Sequence, residues 1–148
     1  MFRGTSFHTI DSKGRIIIPA RFRNFIQTDN KDGIMVSSMD NALFAYTFQE
    51  WNKIETKILS LVEKSPSMRR FRRIFIGGAF ECSIDKQERV LIPPSLRQDA
   101  SLEKKIVLIG VLDHFEIWSH SNYEKEKIEL KKDLEDEEVI NDITQLGL

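Results

Sequence analysis

Asp11-Ser12-Lys13-Gly14-Arg15-Ile16-Ile17-Ile18-Pro19 returns as Asp85-Lys86-Gln87-Glu88-Arg89-Val90-Leu91-Ile92-Pro93, so that position 11 recurs at position 85. Each copy is preceded by an isoleucine, Ile10 and Ile84, and followed by a short segment ending in an arginine, Arg23 and Arg97. Working outward, Ile34-Met35-Val36 matches Ile106-Val107-Leu108, and Leu43-Phe44-Ala45-Tyr46 matches Phe115-Glu116-Ile117-Trp118. Trp51 then matches Tyr123 in the same register. Self-similarity in separated segments marks a duplicated structural unit.

Both halves read alike in periodicity. Short β-type runs at 7–10 and 15–18 flank the Asp11-Ser12-Lys13-Gly14 turn and predict a hairpin, with Gly14 free to take a positive φ. Pro19, like Pro93 and Pro94, cannot donate to a ladder and ends the second run, leaving room for about one helical turn at 20–25. A second hairpin is predicted from 34–37 and 43–48 over the turn at 38–41. Thr47 and Glu50 have capping-box spacing for a helix over 48–63, with Trp51, Ile54, Ile58, Leu61 and Val62 on one face. In the second half Ser121 and Glu124 offer a similar cap for a helix through Lys125 to about Asp142. Between the halves, Ser65-Pro66-Ser67 opens a helix with Met68, Phe71 and Phe75 on one side and Arg69, Arg70, Arg72 and Arg73 largely on the other. Gly77-Gly78 ends it. Two β-rich halves with trailing helices make the class α+β. The chain divides into a first repeat at 1–63, a basic linker helix at 64–78, a second repeat at 79–125 and an acidic helix or tail at 126–148.

The bulk properties exclude several classes. A chain of 148 residues with 41% hydrophobic and 30% charged residues reads as a soluble globular protein. Cys82 is the only cysteine, which rules out an internal disulfide and a multi-cysteine zinc site and fits a reducing compartment. Its strand position matches that of His8, so a packed thiol is expected. The N-terminal residues have no apolar run of a secretory signal, and no stretch approaches the ~18 residues of a membrane span. His8, His114 and His120 are scattered; no metal-ligand spacing, phosphate-cradling loop or nucleophile with a base is visible. Neither an enzyme, a cofactor, a metal nor a small-molecule substrate is expected. The net charge of −1 hides an asymmetry: the nine acids and four lysines after Ser119 carry −5, leaving +4 on residues 1–119.

A turn carrying Lys13, with Arg15 just beyond it, suits entry into a DNA groove. A two-stranded ribbon fits the major groove, and arginine gives bidentate hydrogen bonds to guanine. Arg3, Arg21 and Arg23 could fix the module on phosphates, while Asp11 holds the turn or orients Arg15. Taken alone, Asp-x-x-Gly followed by arginine is more often a common turn with a solvated arginine and no ligand. The aromatic residues Phe44, Tyr46, Trp51, Phe115, Trp118 and Tyr123 occupy matching repeat positions and read as core.

Met1-Phe2-Arg3-Gly4, His8 through Arg15, Ile17-Ile18-Pro19-Ala20, Glu50-Trp51, Arg69-Arg70-Phe71, Gly77-Gly78-Ala79 and Ile92-Pro93-Pro94 together resemble the MraZ family over roughly residues 1–125. The family's Asp-x-x-x-Arg motif falls on Asp11 with Arg15 and on Asp85 with Arg89. The resemblance implies AbrB-like swapped-hairpin modules paired about a pseudo-twofold axis, and ring-shaped homo-oligomers. It further implies a cytoplasmic, nucleoid-associated regulator that binds double-stranded DNA at direct repeats upstream of the division and cell-wall operon. Arg15, Lys13, Arg3, Arg21, Arg23, Arg89 and Lys86 are the candidate DNA contacts, with Asp11, Gly14 and Asp85 structuring the turns. One departure stands out: Glu88 replaces the glycine of the second motif. It is expected to neutralise Arg89 and to deprive the turn of its permissive residue, which ranks Arg15 above Arg89. The competing reading is an antitoxin-like or protein-interaction scaffold built on the same hairpins. The basic cluster at 69–73, facing a segment as acidic as 135–138, points to a structural or intersubunit role.

Overall fold

The computed structural model describes residues 1–27, 33–61 and 65–148. In chain order these form β1 (Thr5–Thr9), β2 (Arg15–Ile17), α1 (Ala20–Gln27), β3 (Gly33–Met39), β4 (Ala42–Tyr46), α2 (Phe48–Ser60) and α3 (Pro66–Phe75). The second half supplies β5 (Phe80–Ser83), β6 (Arg89–Leu91), α4 (Pro94–Asp99), β7 (Lys105–Gly110), β8 (Phe115–Ser119), α5 (His120–Asp133) and α6 (Glu137–Gln145). The class is α+β with antiparallel sheets.

Six strands form one sheet in the order β1-β7-β8-β4-β3-β5, while β2 and β6 form a separate two-stranded ribbon. Each half builds its own hairpin, β3–β4 and β7–β8, and sends its first strand to the edge of the other half's hairpin. The prediction that 7–10 and 15–18 pair with each other is therefore corrected. The turn between them does close, with Gly14 N donating to Asp11 O and Asp11 N to Arg15 O, both at 3.0 Å. The strands then diverge because Ile16 and Ile18, alternating with Arg15 and Ile17, are fully buried beneath the sheet. Keeping β2 in the plane of β1 would leave that apolar face in water.

The β3–β4 hairpin turns on Asp40 and Asn41, both at positive φ (55° and 61°), as the twist-matched two-residue turn requires. One face of the six-stranded sheet buries Ile34, Val36, Leu43, Ile106, Leu108, Phe115 and Ile117 against the ribbon, α1 and α4. Phe22 packs on Phe115 with the rings tilted and 4.9 Å between centroids, and Phe2 meets Phe22 edge-on at 5.4 Å. That burial explains why α1 is two turns long, where about one was expected: Phe22 and Ile26, one turn apart, are both buried. On the other face Tyr46, Trp51 and Phe75 form a second cluster, and Trp118 packs with Ala42 and Val107. Of the aromatic residues read as core, Phe115, Trp51, Trp118 and Tyr46 are buried. Cys82 is buried too, and desolvation pushes its thiol up to about 11.

Three helix boundaries differ from expectation. The second trailing helix is capped by Ser119, whose Oγ accepts the Asn122 amide at 3.1 Å, rather than by Ser121. Ser119 is the repeat equivalent of Thr47, which caps α2 by accepting the Glu50 amide at 3.2 Å. The helix predicted to reach Asp142 breaks after Asp133, and Asp136 caps a new one, α6, by accepting the Glu138 amide. In the first half α2 stops at Ser60 and leaves Leu61 exposed, while Val62 lies outside the described residues.

Ser37 is fully buried and donates to the Phe75 carbonyl at 2.6 Å, tying α3 to the sheet. Replacing the hydroxyl leaves that carbonyl short of a partner, a loss of about 1–3 kcal/mol. Phe115→Ala, which empties the centre of the aromatic cluster, is expected to cost about 3–5 kcal/mol. Urea unfolding of both variants checks the values and their order.

Candidate functional site

The candidate site is the outer face of the β2–β6 ribbon. Its register pairs Arg15 with Leu91, Ile16 with Val90 and Ile17 with Arg89. Side chains alternate along a strand and directly opposed residues share a face. Ile16 and Val90 therefore point into the core, while Arg15, Ile17, Arg89 and Leu91 point outward together. Ile17 and Leu91 are 54% and 55% exposed in spite of their apolar chemistry. Arg15 and Arg89 are diagonal neighbours, roughly 7–8 Å apart by ordinary sheet geometry. Two motifs far apart in sequence thus make one surface of two arginines around two aliphatic side chains.

Each arginine is held by its own turn. Asp11 Oδ1 accepts the amides of Lys13 and Arg15 at 2.9 and 2.8 Å, and its Oδ2 accepts Arg15 Nε at 2.7 Å. Asp85 repeats the pattern, accepting the amides of Gln87 and Arg89 and then Arg89 Nε at 3.0 Å. With Nε committed to an aspartate, each guanidinium keeps two terminal nitrogens beyond that contact. In Arg89 one of them also reaches Gln87 Oε1 at 3.3 Å. The backbone hydrogen bond from Arg15, ahead of the ionic contact, lowers the Asp11 carboxyl to about 2, and the equivalent bond from Arg89 lowers Asp85.

Glu88 does not act as the sequence reading anticipated. It adopts a φ of 64°, close to the 87° of Gly14, so the second turn keeps its shape. Its carboxylate meets Arg23 Nε at 3.3 Å, and Arg89 pairs with Asp85 instead. The reason lies in the opposite turn. A Cβ on Gly14 would lie 2.6 Å from the Arg97 guanidinium, so a larger residue there would displace Arg97, and the φ of 87° favours glycine as well. Arg97 is the repeat equivalent of Arg23. One turn thus packs a glycine beneath an arginine, and the other joins a carboxylate to one. Main-chain bonds mirror this relation: Ile18 N donates to Glu88 O at 3.0 Å, and Ile92 N to Gly14 O at 2.9 Å.

The remaining candidates are dispersed. Lys13 and Lys86 are exposed in the two turns beside the ribbon. Arg23 is occupied as a brace, with Nη1 donating to Ile18 O at 2.6 Å in addition to its bridge to Glu88. Arg21 donates to Arg3 O at 3.1 Å and Ser6 Oγ at 3.0 Å, and lies over the Phe22 ring. Its anchor at Ser6 is roughly 10 Å along β1 from Thr9, where the turn begins, so Arg3 and Arg21 sit on a flank. Sequence reasoning passed over Ile17, Leu91 and Arg97. Period-two alternation within Arg15–Ile18 carried the signal for Ile17, masked by an unbroken isoleucine run. Among the described residues no helix is long and apolar enough to cross a membrane.

A model of the family described as "MraZ protein, putative antitoxin-like" matches residues 1–74 and again residues 75–141. The chain belongs to the MraZ family. Two successive matches agree with the internal duplication. The chain is 59% identical over 148 residues to a protein named transcriptional regulator MraZ in Desulforapulum autotrophicum, covering all of both chains. It is 55% identical, again end to end, to the protein so named in Desulfosudis oleivorans. With that of Syntrophobacter fumaroxidans it shares 44% over 132 residues, 89% of this chain and 87% of the relative.

The lowered carboxyls set a pH window. Asp11 falls from an ordinary 3.8 to about 2 on folding, so its contribution is present above about pH 4 and lost as pH drops toward 2. Carbon-13 NMR of the side-chain carboxyls is expected to show Asp11 titrating near 2 and Asp85 below the ordinary aspartate value. In Arg15→Ala, Asp11 should rise only part of the way, because the amides of residues 13 and 15 still donate to it while the guanidinium is gone.

Proposed function

We propose that the protein is a transcriptional regulator that binds double-stranded DNA sequence-specifically, with the outer face of the β2–β6 ribbon in the major groove. The observation that carries this reading is the convergence of Arg15 and Arg89 on one exposed ribbon face, each fixed at Nε by an aspartate. A guanidinium held in this way loses less freedom on binding and offers two parallel N–H groups, the geometry that matches guanine O6 and N7. Ile17 and Leu91 between them suit contact with thymine methyl groups. The names of the relatives support regulation of transcription.

Charge around the two motifs is unequal. Lys13 stands beside Arg15 where the second copy has Gln87, and Arg97 and Lys104 line the surface next to the first turn. Beside the second turn, Lys86 is accompanied by the Glu88–Arg23 pair. The first motif therefore takes the larger share of phosphate contact, with Lys13 and the flanking Arg3 and Arg21 positioning the module and Lys86 serving the second turn. Asp11, Gly14 and Asp85 hold the turns, and Arg23 braces them.

The remaining assignments rest on the family resemblance. The two repeats, 1–63 and 79–125, act as one AbrB-like swapped-hairpin reader, joined by the helix at 64–78 and followed by the acidic extension at 126–148. Several copies assemble into a ring in the cytoplasm, on the nucleoid, at direct repeats upstream of the division and cell-wall operon. One bidentate contact supplies roughly 1–3 kcal/mol of discrimination, whereas linked readers raise avidity ~10²–10⁴-fold. Readers must also recur at about one helical turn, ~34–36 Å, so a closed ring adjusts, or the DNA bends, when several copies bind together.

Fluorescence anisotropy on upstream duplex, against a scrambled duplex at two salt concentrations, tests the reading. Arg15→Ala and Arg89→Ala should each lose about 1–3 kcal/mol of specific affinity, with Arg15→Ala at the upper end. Lys13→Ala should weaken both duplexes alike and flatten the salt dependence by about one counterion. Salt-insensitive behaviour, equal on the two duplexes, would instead favour the antitoxin-like scaffold.

A further inference from the structure

Away from the ribbon, a second surface pairs uncovered apolar side chains with charge of one sign. Arg70, Phe71, Ile74 and Phe75 of α3, together with Ser38 and Met39 of β3, line an open groove of about 400 Å³. Ile74 is 64% exposed at its edge, and the helix carries four arginines and no acid. Its amphipathic character is more than packing against the sheet requires, since only Phe75 is buried.

The complementary element lies at the other end of the chain. Residues 133–148 hold six carboxylates and no lysine or arginine. Within them α6 and its C-cap Leu146 set Val139, Ile140, Ile143 and Leu146 along one stripe, the spacing of a helix that buries a face. None of these is buried in the chain's own fold. A nine-residue helix is marginal in water without tertiary cover, so the stripe needs a partner.

We propose that α6 of one copy docks into the α3 groove of a second copy, with its apolar stripe against Phe71 and Ile74 and its carboxylates facing Arg70 and Arg73. The occupant is a second copy because opposite charge and exposed apolar area are paired on the same chain, while α6 leaves its own fold uncovered. This contact builds on the assembly proposed above and names the surfaces that make it. It is independent of how the ribbon reads DNA.

Sedimentation velocity of the full chain over a range of concentrations tests it. Arg70→Glu with Arg73→Glu, and separately Glu137→Arg with Glu138→Arg, should each raise the concentration needed for assembly about tenfold or more. The variant with all four reversals should return close to wild type, which separates a charge contact from misfolding. In parallel, Ile74→Cys and Ile140→Cys on two differently tagged copies should give a disulfide between copies under mild oxidation, Cys82 being buried. A wild-type chain that stays monomeric overturns both the assembly and this contact. An assembly unmoved by the reversals, or a cross-link formed only within a chain carrying both cysteines, overturns the contact alone.

Discussion

The two short strands β2 and β6 cannot be satisfied within their own repeats. Each has an inward face, Ile16 with Ile18 and Val90 with Ile92, that is fully buried beneath the six-stranded sheet, and each finds its partner strand in the other repeat. Burying an aliphatic side chain of this size contributes roughly 1.5–3 kcal/mol. An ion pair as exposed as Arg23–Glu88 contributes at most about 1 kcal/mol. Burial therefore holds the repeats together, and the bridge adjusts the geometry of one turn. From this constraint follow the crossing of β1 to β7 and β5 to β3, and the position of the motifs on the axis that relates the repeats.

The same arrangement explains how a small chain can present arginines rigidly. Long cationic side chains on a free loop lose much conformational entropy when they are ordered. Here Asp11 and Asp85 have already fixed Nε of Arg15 and Arg89, and the buried isoleucines fix the backbone beneath them. The duplicated design also permits asymmetry. Because the two turns lie in one chain, one keeps a glycine beneath Arg97 while the other exchanges it for a carboxylate that meets Arg23. An assembly of identical single repeats would have to carry the same choice at both turns.

Much of this was legible in the residues. The offset between Asp11 and Asp85 revealed the duplication, and the hairpin at Asp40–Asn41 and the Thr47 cap followed from local chemistry that the tertiary fold does not override. What local reading missed was set by distant partners. Whether 15–18 folds back on 7–10 or pairs with 89–91 depends on where Ile16 and Ile18 find cover, and the strand itself does not encode that. The length of α1 was underestimated because the demand for Phe22 and Ile26 comes from a core drawn from both repeats, with Phe115 against Phe22. The Ser119 cap could have been found from the repeat register, which aligns it with Thr47, whereas Ser121 only had the right spacing to a glutamate. Glu88 was misjudged for a similar reason. Its partner, Arg23, is adjacent only after the repeats interleave.

Whether both repeats contribute to a single DNA-contacting surface is settled by site-specific photo-crosslinking. p-Benzoylphenylalanine would replace Ile17, Leu91 or, as a control on α3, Ile74, one at a time in the full chain bound to a duplex of the upstream region. Positions 17 and 91 should both cross-link, to bases within the same few base pairs, and position 74 should not. Cross-linking from position 74 with silence at 17 and 91, or capture by 17 and 91 of widely separated DNA segments, would contradict a shared surface.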